Sequence, residues 1–360
     1  MRSGVLNKVK RVVVKVGTKL LVNERGRLDP ARINQIVEEI AGIHRSGREI
    51  ILVTSGAIVA GLESLGLQKR PKNLPYLQAA AAIGQGQLMH FYQSAFSRCD
   101  VLIAQILLTG EDLKERRRHL NAKNTFEALL DQKVIPIVNE NDTVAVDEIK
   151  FGDNDQLSAL VANLVQADLL IILTDQDGFL KDGQVVPMVF EIDKELEMYV
   201  HRSKDWKGVG GMQSKLDAAR IVMRSGELMM IANGLKKGTL EKIFHDAPVG
   251  TLFIPKGKKM PGRKRWIAHF VKPQGDLVLD EGAVMAIRDK RKSLLAPGII
   301  EIRGSFRVGD TVRLIDRKDQ EIARGLVNYP DEDLKKAIGK TKEERLKILE
   351  VIHRDNLVIL

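Results

Sequence analysis

The sequence predicts an α/β protein: an open, mostly parallel sheet sandwiched by helices, followed by a small β-rich, barrel-like domain. Two observations predict it. Over residues 1–254, short continuous apolar runs rich in Val, Ile and Leu alternate with stretches of helical periodicity, the texture of strands buried on both faces of a parallel sheet. Past residue 271 the apolar runs shorten and are separated by Gly, Pro and Asp, as in a compact β domain.

The elements follow in order. Arg11-Val12-Val13-Val14-Lys15-Val16 reads as the first strand and ends at Gly17. Asp29-Pro30 supplies an N-cap and a proline at the first helical position. Ile33, Ile36, Val37 and Ile40 then share one helix face, and Gly47 follows the end. Ile50-Ile51-Leu52-Val53 is the next strand, broken by Thr54-Ser55-Gly56. Residues 101–108, 134–138, 169–173 and 228–231 continue the strand series, with helical stretches between them. In the second region, residues 276–279, 299–302, 311–314 and 322–327 read as strands that could close into a barrel, and residues 356–360 as a last strand tucked into the sheet.

Composition sets bounds. The chain has 360 residues, 44% hydrophobic and 29% charged, enough for two domains with substantial cores. No apolar run approaches the roughly 18–20 residues that a bilayer span needs. The basic N-terminus is followed by a short apolar run interrupted by Lys15, with no small-residue cleavage site, so no signal peptide and a cytoplasmic location are expected. The single cysteine, Cys99, excludes a disulfide framework and a Cys-based metal site; it is expected as a small packed side chain. The net charge is +10, but it is unevenly spread. Residues 1–254 hold 33 Lys/Arg and 31 Asp/Glu, and residues 272–360 hold 18 and 16, a net of +2 in each. The remaining +6 lies in residues 255–265, which contain no acid. That basic stretch, with two Pro and two Gly, is the expected connection, giving domains 1–254 and 272–360 around a linker at 255–271. A solvated tether and a polyphosphate or RNA contact both account for its charge.

Two polar segments carry the strongest chemical signal. Asn139-Glu140-Asn141-Asp142-Thr143-Val144 follows the apolar run 134–138, and Gly152-Asp153-Asn154-Asp155-Gln156 opens an amphipathic helix. Strand carboxyl ends and helix amino ends are where open α/β sheets bind ligands, although a turn or an N-cap would account for either segment alone. Glycine-bearing strand ends accompany them: Lys15-Val16-Gly17-Thr18-Lys19, Thr54-Ser55-Gly56-Ala57, Thr174-Asp175-Gln176-Asp177-Gly178 and the loop from Gly208 to Lys215. Gly17 and Gly56 would let a ligand approach backbone N–H groups at helix starts. Lys15 is the odd residue in an apolar strand and requires an anionic partner. Lys15 and Lys215, read as opposite ends of one site, would suit a triphosphate. No Gly-x-x-x-x-Gly-Lys-Ser/Thr motif occurs, and Gly84-Gln85-Gly86 lies in an alanine-rich helical stretch, which speaks against dinucleotide binding.

Lys15-Val16-Gly17-Thr18, Val53-Thr54-Ser55-Gly56-Ala57, Val138-Asn139-Glu140-Asn141-Asp142, Gly152-Asp153-Asn154-Asp155 and Gly210-Gly211-Met212 together resemble the glutamate 5-kinase branch of the amino acid kinase family, in order and approximate spacing. Lys264-Arg265-Trp266-Ile267 resembles the segment after that family's kinase domain, and Asp280-Glu281-Gly282-Ala283 the start of its C-terminal PUA domain. Phe151 and Gln213-Ser214 depart from the family pattern.

The resemblance implies the amino acid kinase fold and ATP-dependent phosphorylation of the γ-carboxylate of L-glutamate to L-glutamyl 5-phosphate, the first step of proline biosynthesis. It assigns Lys15 and Lys215 to the transferring phosphoryl group and Asp155 to holding the two lysines. Ser55, Asp142 and Asn154 would bind glutamate. Lys15, Gly17, Thr174, Asp175 and the loop residues Val209, Gly210, Gly211, Met212, Gln213, Ser214 and Lys215 would bind ATP, with Mg²⁺ carried mainly on its phosphates. Asp153 receives no role. The resemblance also implies a homo-oligomer, dimer or tetramer, and feedback inhibition by proline. A carboxylate acceptor is ionised at neutral pH, with a reference pKa near 4.3, so no general base is needed. Family members acting on carbamate, aspartate, acetylglutamate or UMP are rivals, disfavoured by the paired Asn/Asp segments and the β-rich C-terminal region. RNA binding by the PUA-like region is a reading of a different class, weakened by that region's near neutrality.

Overall fold

The valines of the first apolar run form strand β1 (Arg11–Val16), where Val12, Val13, Val14 and Val16 are all buried. The structure is a computed structural model and describes residues 2–67, 70–145, 154–202, 211–245, 247–257, 259–338 and 350–359. Asp153, Val209 and Gly210 lie outside them, as does the departure at Phe151. The chain divides into two units, 1–259 and 260–360.

In the first unit, a short helix α1 (Arg2–Leu6) precedes β1. Helix α2 (Thr18–Leu21) starts at Gly17, and α3 (Pro30–Arg45) is capped by Asp29, whose carboxylate accepts from Ala31 N at 2.9 Å. Gly47 ends α3 with φ +88°, a conformation glycine adopts at little cost. Then follow β2 (Glu49–Val53), α4 (Ala57–Ser64), α5 (Leu74–Ser97), β3 (Ile103–Leu108), α6 (Gly110–Lys114), α7 (Arg116–Asp131) and β4 (Ile135–Glu140). After α8 (Asp155–Leu164) come β5 (Leu169–Thr174), a small hairpin β6 (Leu180–Lys181) and β7 (Gln184–Val185), and β8 (Met188–Val189). Helix α9 (Lys194–Arg202), α10 (Met212–Arg224), β9 (Leu228–Asn233), α11 (Thr239–Phe244) and β10 (Thr251–Phe253) complete the unit.

Among the described residues, eight strands form one sheet in the order β3-β4-β2-β1-β5-β9-β10-β8, parallel throughout except for the antiparallel pair β9–β10. The chain leaves β1 to one side for β2 and later returns to its other side with β5, so the carboxyl end of β1 is a switch point where α/β sheets open a crevice. The two faces of β1 part company. Val12, Val14 and Val16 join a core with Ile33, Ile36, Val37 and Ile40 of α3, while period-two alternation turns Lys15 to the other face with Val13. Strands β4 and β5 are buried at every residue, as the continuous apolar runs predict. β3 departs from that expectation. It is an edge of the sheet, mostly half-exposed, with Leu107 and the preceding Leu102 facing outward; its run is largely apolar but carries the exposed Gln105, and strand order, a non-local property, leaves it uncovered. Cys99 is half-buried and packs against the core, as expected.

Helices α4 and α5 approach to backbone contact. A β-carbon at Gly61 would lie 1.7 Å from Ala80 O, and one at Gly84 would lie 1.8 Å from Ala57 O. The Gly84-Gln85-Gly86 stretch is therefore helical, and its first glycine is a packing device.

The second unit holds a five-stranded sheet, β12-β11-β13-β14-β15, of β11 (Gly275–Leu279), β12 (Ile299–Gly304), β13 (Thr311–Ile315), β14 (Glu321–Leu326) and β15 (Leu357–Ile359). The last strand pairs antiparallel with β14, so the C-terminal segment is in the sheet. Among the described residues β12 and β15 end the sheet without pairing with each other. Leu277, Phe306, Leu314 and Ile352 centre its core. The basic stretch read as a linker is largely built structure. Lys259 Nζ bonds Asp168 at 2.7 Å within the first unit. In the second, α12 (Gly262–Arg265) runs into a π-helical turn, Trp266–Phe270, and Arg265, Trp266, Ile267 and Phe270 are buried. The apolar side chains follow directly on the basic run.

Gly84→Ala should lower the thermal unfolding midpoint by an amount equivalent to about 1–3 kcal/mol, since the helices must separate to admit the methyl. Gly86→Ala, in open space on the same helix, should instead add roughly 0.5–1 kcal/mol. Paired melting curves of the two variants check this.

Candidate active site

The cost of burying Lys15 is met by Asp155, the first residue of α8. Lys15 is 4% exposed and Asp155 0%. The Lys15 ammonium bonds Oδ1 of Asp155, and Lys215 Nζ, from the first turn of α10, reaches Oδ2 at 3.0 Å. Ser214 Oγ donates to the same Oδ2 at 2.9 Å. Two buried ammoniums thus share one carboxylate, and those three groups sum to a single positive charge. The lysines read as opposite ends of a site meet at one carboxylate, the residue that the resemblance gives to both, because β1, α8 and α10 converge there. A methyl added at Gly17 would stand 3.8 Å from Lys15 Nζ, so the cation lies at the turn that opens α2.

Around this point a cleft of about 270 Å³ opens along the carboxyl ends of β4, β2, β1 and β5. Toward β4 it is lined by Asn139, Glu140, Asp142 and Asn154, with Ser55 and Gly56 beyond β2. Gly56 holds φ +104° as the N-cap of α4, which favours glycine there. Toward β5 the lining is Thr174, Asp175 and Lys19. Thr174 Oγ1 donates to Asp175 Oδ1 at 3.0 Å, and Lys19 Nζ bonds Asp175 Oδ2 at 3.0 Å. Burial pushes the Asp175 carboxyl up, but the bonds from Lys19 and Thr174 together outweigh it and leave it below the usual carboxylate range. A carboxylate-and-amide end and a lysine-bearing end therefore flank the buried cation pair. That arrangement can seat an amino acid on one side and an anionic group on the other.

The sequence profile of the amino acid kinase family matches residues 10–233, and that of the PUA domain matches residues 275–349. Glutamate 5-kinase of Geobacter sulfurreducens is 44% identical over 373 residues, spanning 100% of both chains. Glutamate 5-kinase of Caldanaerobacter subterraneus is 47% identical over 363 residues, covering 97% of this chain and 98% of its own. The chain belongs to the glutamate 5-kinase family. Solved structures carry the fold further afield. Carbamate kinase from Giardia lamblia bound to AMP-PNP superposes with TM-score 0.51 at 19% identity, over 69% of this chain and 100% of that one. N-acetylglutamate synthase from Neisseria gonorrhoeae does so with TM-score 0.53 at 15% identity, over 71% and 62%.

Against the residues expected of a glutamate 5-kinase, the cleft brings together Lys15, Gly17, Ser55, Asp142, Asn154, Thr174, Asp175 and Lys215. Asp155 lies buried behind the two lysines. Ser214, expected on the nucleotide, has its Oγ within hydrogen-bond distance of two acceptors, Asp155 Oδ2 and Gly211 O, which compete for its one hydrogen. Gly211, Met212 and Gln213 open α10 beside the cleft and are not among its lining residues; Gln213 Nε2 donates to Asp217 within the helix. The sequence reading missed Lys19 and Arg70 as lining residues. Lys19 sits two residues past Gly17, where helical turn geometry could have flagged it, whereas nothing local marks Arg70.

Asp155→Asn should destabilise the first unit by about 3–5 kcal/mol, because it leaves two buried ammoniums without their shared carboxylate. Chemical denaturation of the variant and the parent checks it, and a midpoint shift under about 1 kcal/mol would contradict the shared-anion reading.

Proposed function

We propose that this kinase transfers the γ-phosphoryl group of ATP to the side-chain carboxylate of L-glutamate, giving L-glutamyl 5-phosphate and ADP at the head of proline biosynthesis. The observation that carries the reading is the Lys15–Asp155–Lys215 cluster at the junction of the two ends of the cleft. Phosphoryl transfer asks little covalent chemistry of the protein; it asks for in-line positioning and neutralisation of charge on the equatorial oxygens. An oxygen of the γ-carboxylate attacks the γ-phosphorus while the bond to the β,γ-bridging oxygen breaks and ADP departs. The acceptor is already anionic above a pH of about 4.3, so no proton has to be removed.

In this reading Lys15 and Lys215 face the transferring group, and Asp155 fixes both ammoniums so that little reorganisation is needed during the reaction. Asp142 offers an anion to the substrate's α-ammonium, with Ser55 and Asn154 beside it. Gly17, Thr174 and Asp175, with the loop through Val209, Gly210, Gly211, Met212 and Gln213, hold the nucleotide. Among the described residues, no cluster of three or more His, Cys, Asp or Glu side chains could hold a metal by itself. Mg²⁺ would arrive on ATP, bound mainly through phosphates and water, where it would neutralise phosphate charge. Inhibition by proline and assembly into a dimer or tetramer belong to the same proposal; proline added to the assay and sedimentation test them.

The decisive measurement is coupled ADP release with glutamate against aspartate, carbamate, acetylglutamate and UMP; turnover of any of these in preference to glutamate would sink the assignment. Lys215→Ala should cut kcat by about 10²–10³-fold, the usual consequence of removing a preorganised charge donor, while Asp155 keeps Lys15 as partner and the fold persists. Asp142→Ala should mainly raise the glutamate KM, about tenfold for the loss of roughly 1.4 kcal/mol of binding, with the ATP KM unchanged.

A further inference from the structure

Asn154 is held by a hydrogen-bond chain that reaches a helix outside the cleft. Its Nδ2 donates to the backbone carbonyl of Thr54 and to Asn139 Oδ1, the latter at 2.8 Å. Asn139 Nδ2 in turn donates to Gln85 Oε1 at 2.8 Å. Amide oxygen and nitrogen are easily interchanged in a side chain, but here the direction is fixed from outside. A peptide carbonyl can only accept, so the atom of Asn154 facing Thr54 O must be its nitrogen. The atom of Asn139 facing that nitrogen must then be oxygen, which turns the Asn139 nitrogen to Gln85 and requires oxygen there too. Gln85 Nε2 is left buried, with no hydrogen bond to any described residue. Leaving such a donor unmet costs about 1–3 kcal/mol, so the chain imposes this orientation in spite of Gln85's own preference.

The same helix braces the other acceptor. Tyr92 Oη lies 2.8 Å from Thr54 Oγ1, both buried. Residues 85 and 92 are seven apart on α5 and so share a face two turns apart. The contact at Gly84 and Ala57 brings that face close to the start of α4. Both hydrogens of the Asn154 amide are therefore spent inside the protein. Its Oδ1 is the polar atom left to the cleft, which Asn154 lines.

We propose that Gln85 is a positioning residue for substrate specificity. Through Asn139 it locks Asn154 with the carbonyl oxygen presented to the amino-acid end, where it accepts from the α-ammonium of glutamate alongside Asp142. This rests on the glutamate kinase reading above and adds to it a division of labour. Asn154 reads the ammonium and not a carboxylate, because its donors are committed elsewhere. The acceptor oxygen of Gln85 is what the arrangement requires of position 85.

The test compares the intact chain with Gln85→Leu, Gln85→Glu and Tyr92→Phe. It reads the KM for glutamate, the KM for ATP, kcat, and the Ki of glutarate, the same dicarboxylate without the ammonium. Gln85→Leu should raise the glutamate KM about tenfold, leaving kcat, the ATP KM and the glutarate Ki within about twofold. Gln85→Glu keeps an acceptor oxygen and should recover most of the loss. Tyr92→Phe, which removes one hydroxyl, should shift the glutamate KM in the same direction by a smaller factor and serves if Gln85→Leu fails to fold. Equal weakening of glutamate and glutarate, or a fall in kcat with unchanged KM, would reduce Gln85 to a structural role and overturn the proposal. An unchanged glutamate KM would do the same. Glutamate turnover by the parent chain separates the two readings: its absence overturns both, whereas its presence with an unaltered Gln85→Leu overturns this one alone.

Discussion

One carboxylate determines the architecture of the site. Burying Lys15 in the middle of a sheet and Lys215 in a helix packed beside it would cost several kcal/mol per charge without compensation. Asp155, completely buried at the start of α8, compensates both. Its position at a helix amino end adds favourable interaction with exposed N–H groups. Because the three side chains come from β1, α8 and α10, the requirement that they meet fixes the relative placement of those elements. The cleft inherits its shape from that convergence, and the turn at Gly17 lies within reach of the resulting cation.

The same logic of committed partners runs through the rest of the cleft. Asp175 is held by Lys19 and Thr174, and Asn154 by Thr54 and Asn139. Each group has part of its hydrogen-bonding capacity spent inside the protein, so the remaining part points one way. A polar site built like this recognises ligands by what its side chains have left to offer, and preorganisation lowers the cost of binding. Helix α5 contributes although it lies off the sheet's carboxyl edge, because two glycines let α4 and α5 touch.

Much of the fold was legible in the residues themselves. The Val/Ile runs of β1, β2, β4 and β5, the Asp29-Pro30 start of α3 and the glycine at 47 act through neighbours in sequence, and such signals survive without knowledge of the fold. The polar segments at the end of β4 and the start of α8 were equally visible, since packing does not call for so many Asn and Asp side chains. Less legible was β3, whose largely apolar run, interrupted at Gln105, ends as an edge. Residues 255–271 misled in the other direction: the charge of 255–265 suggested a tether, while Arg265, Trp266, Ile267 and Phe270 are buried.

Sequence alone determined the α/β class, the β-rich second unit and the residue types of the site, because periodicity, capping and the anomaly of a lysine in an apolar strand are local facts. Tertiary structure decided the partnerships. Lys15 and Lys215, read from the residues as opposite ends of a site, meet at Asp155; Ser214 lies within hydrogen-bond distance of the same carboxylate; Gln85, in the alanine-rich helix, came to orient an asparagine 69 residues further along. Hydrogen bonds and ion pairs act over about 3 Å, and only the packed sheet and helices bring residues so distant in the chain within that range.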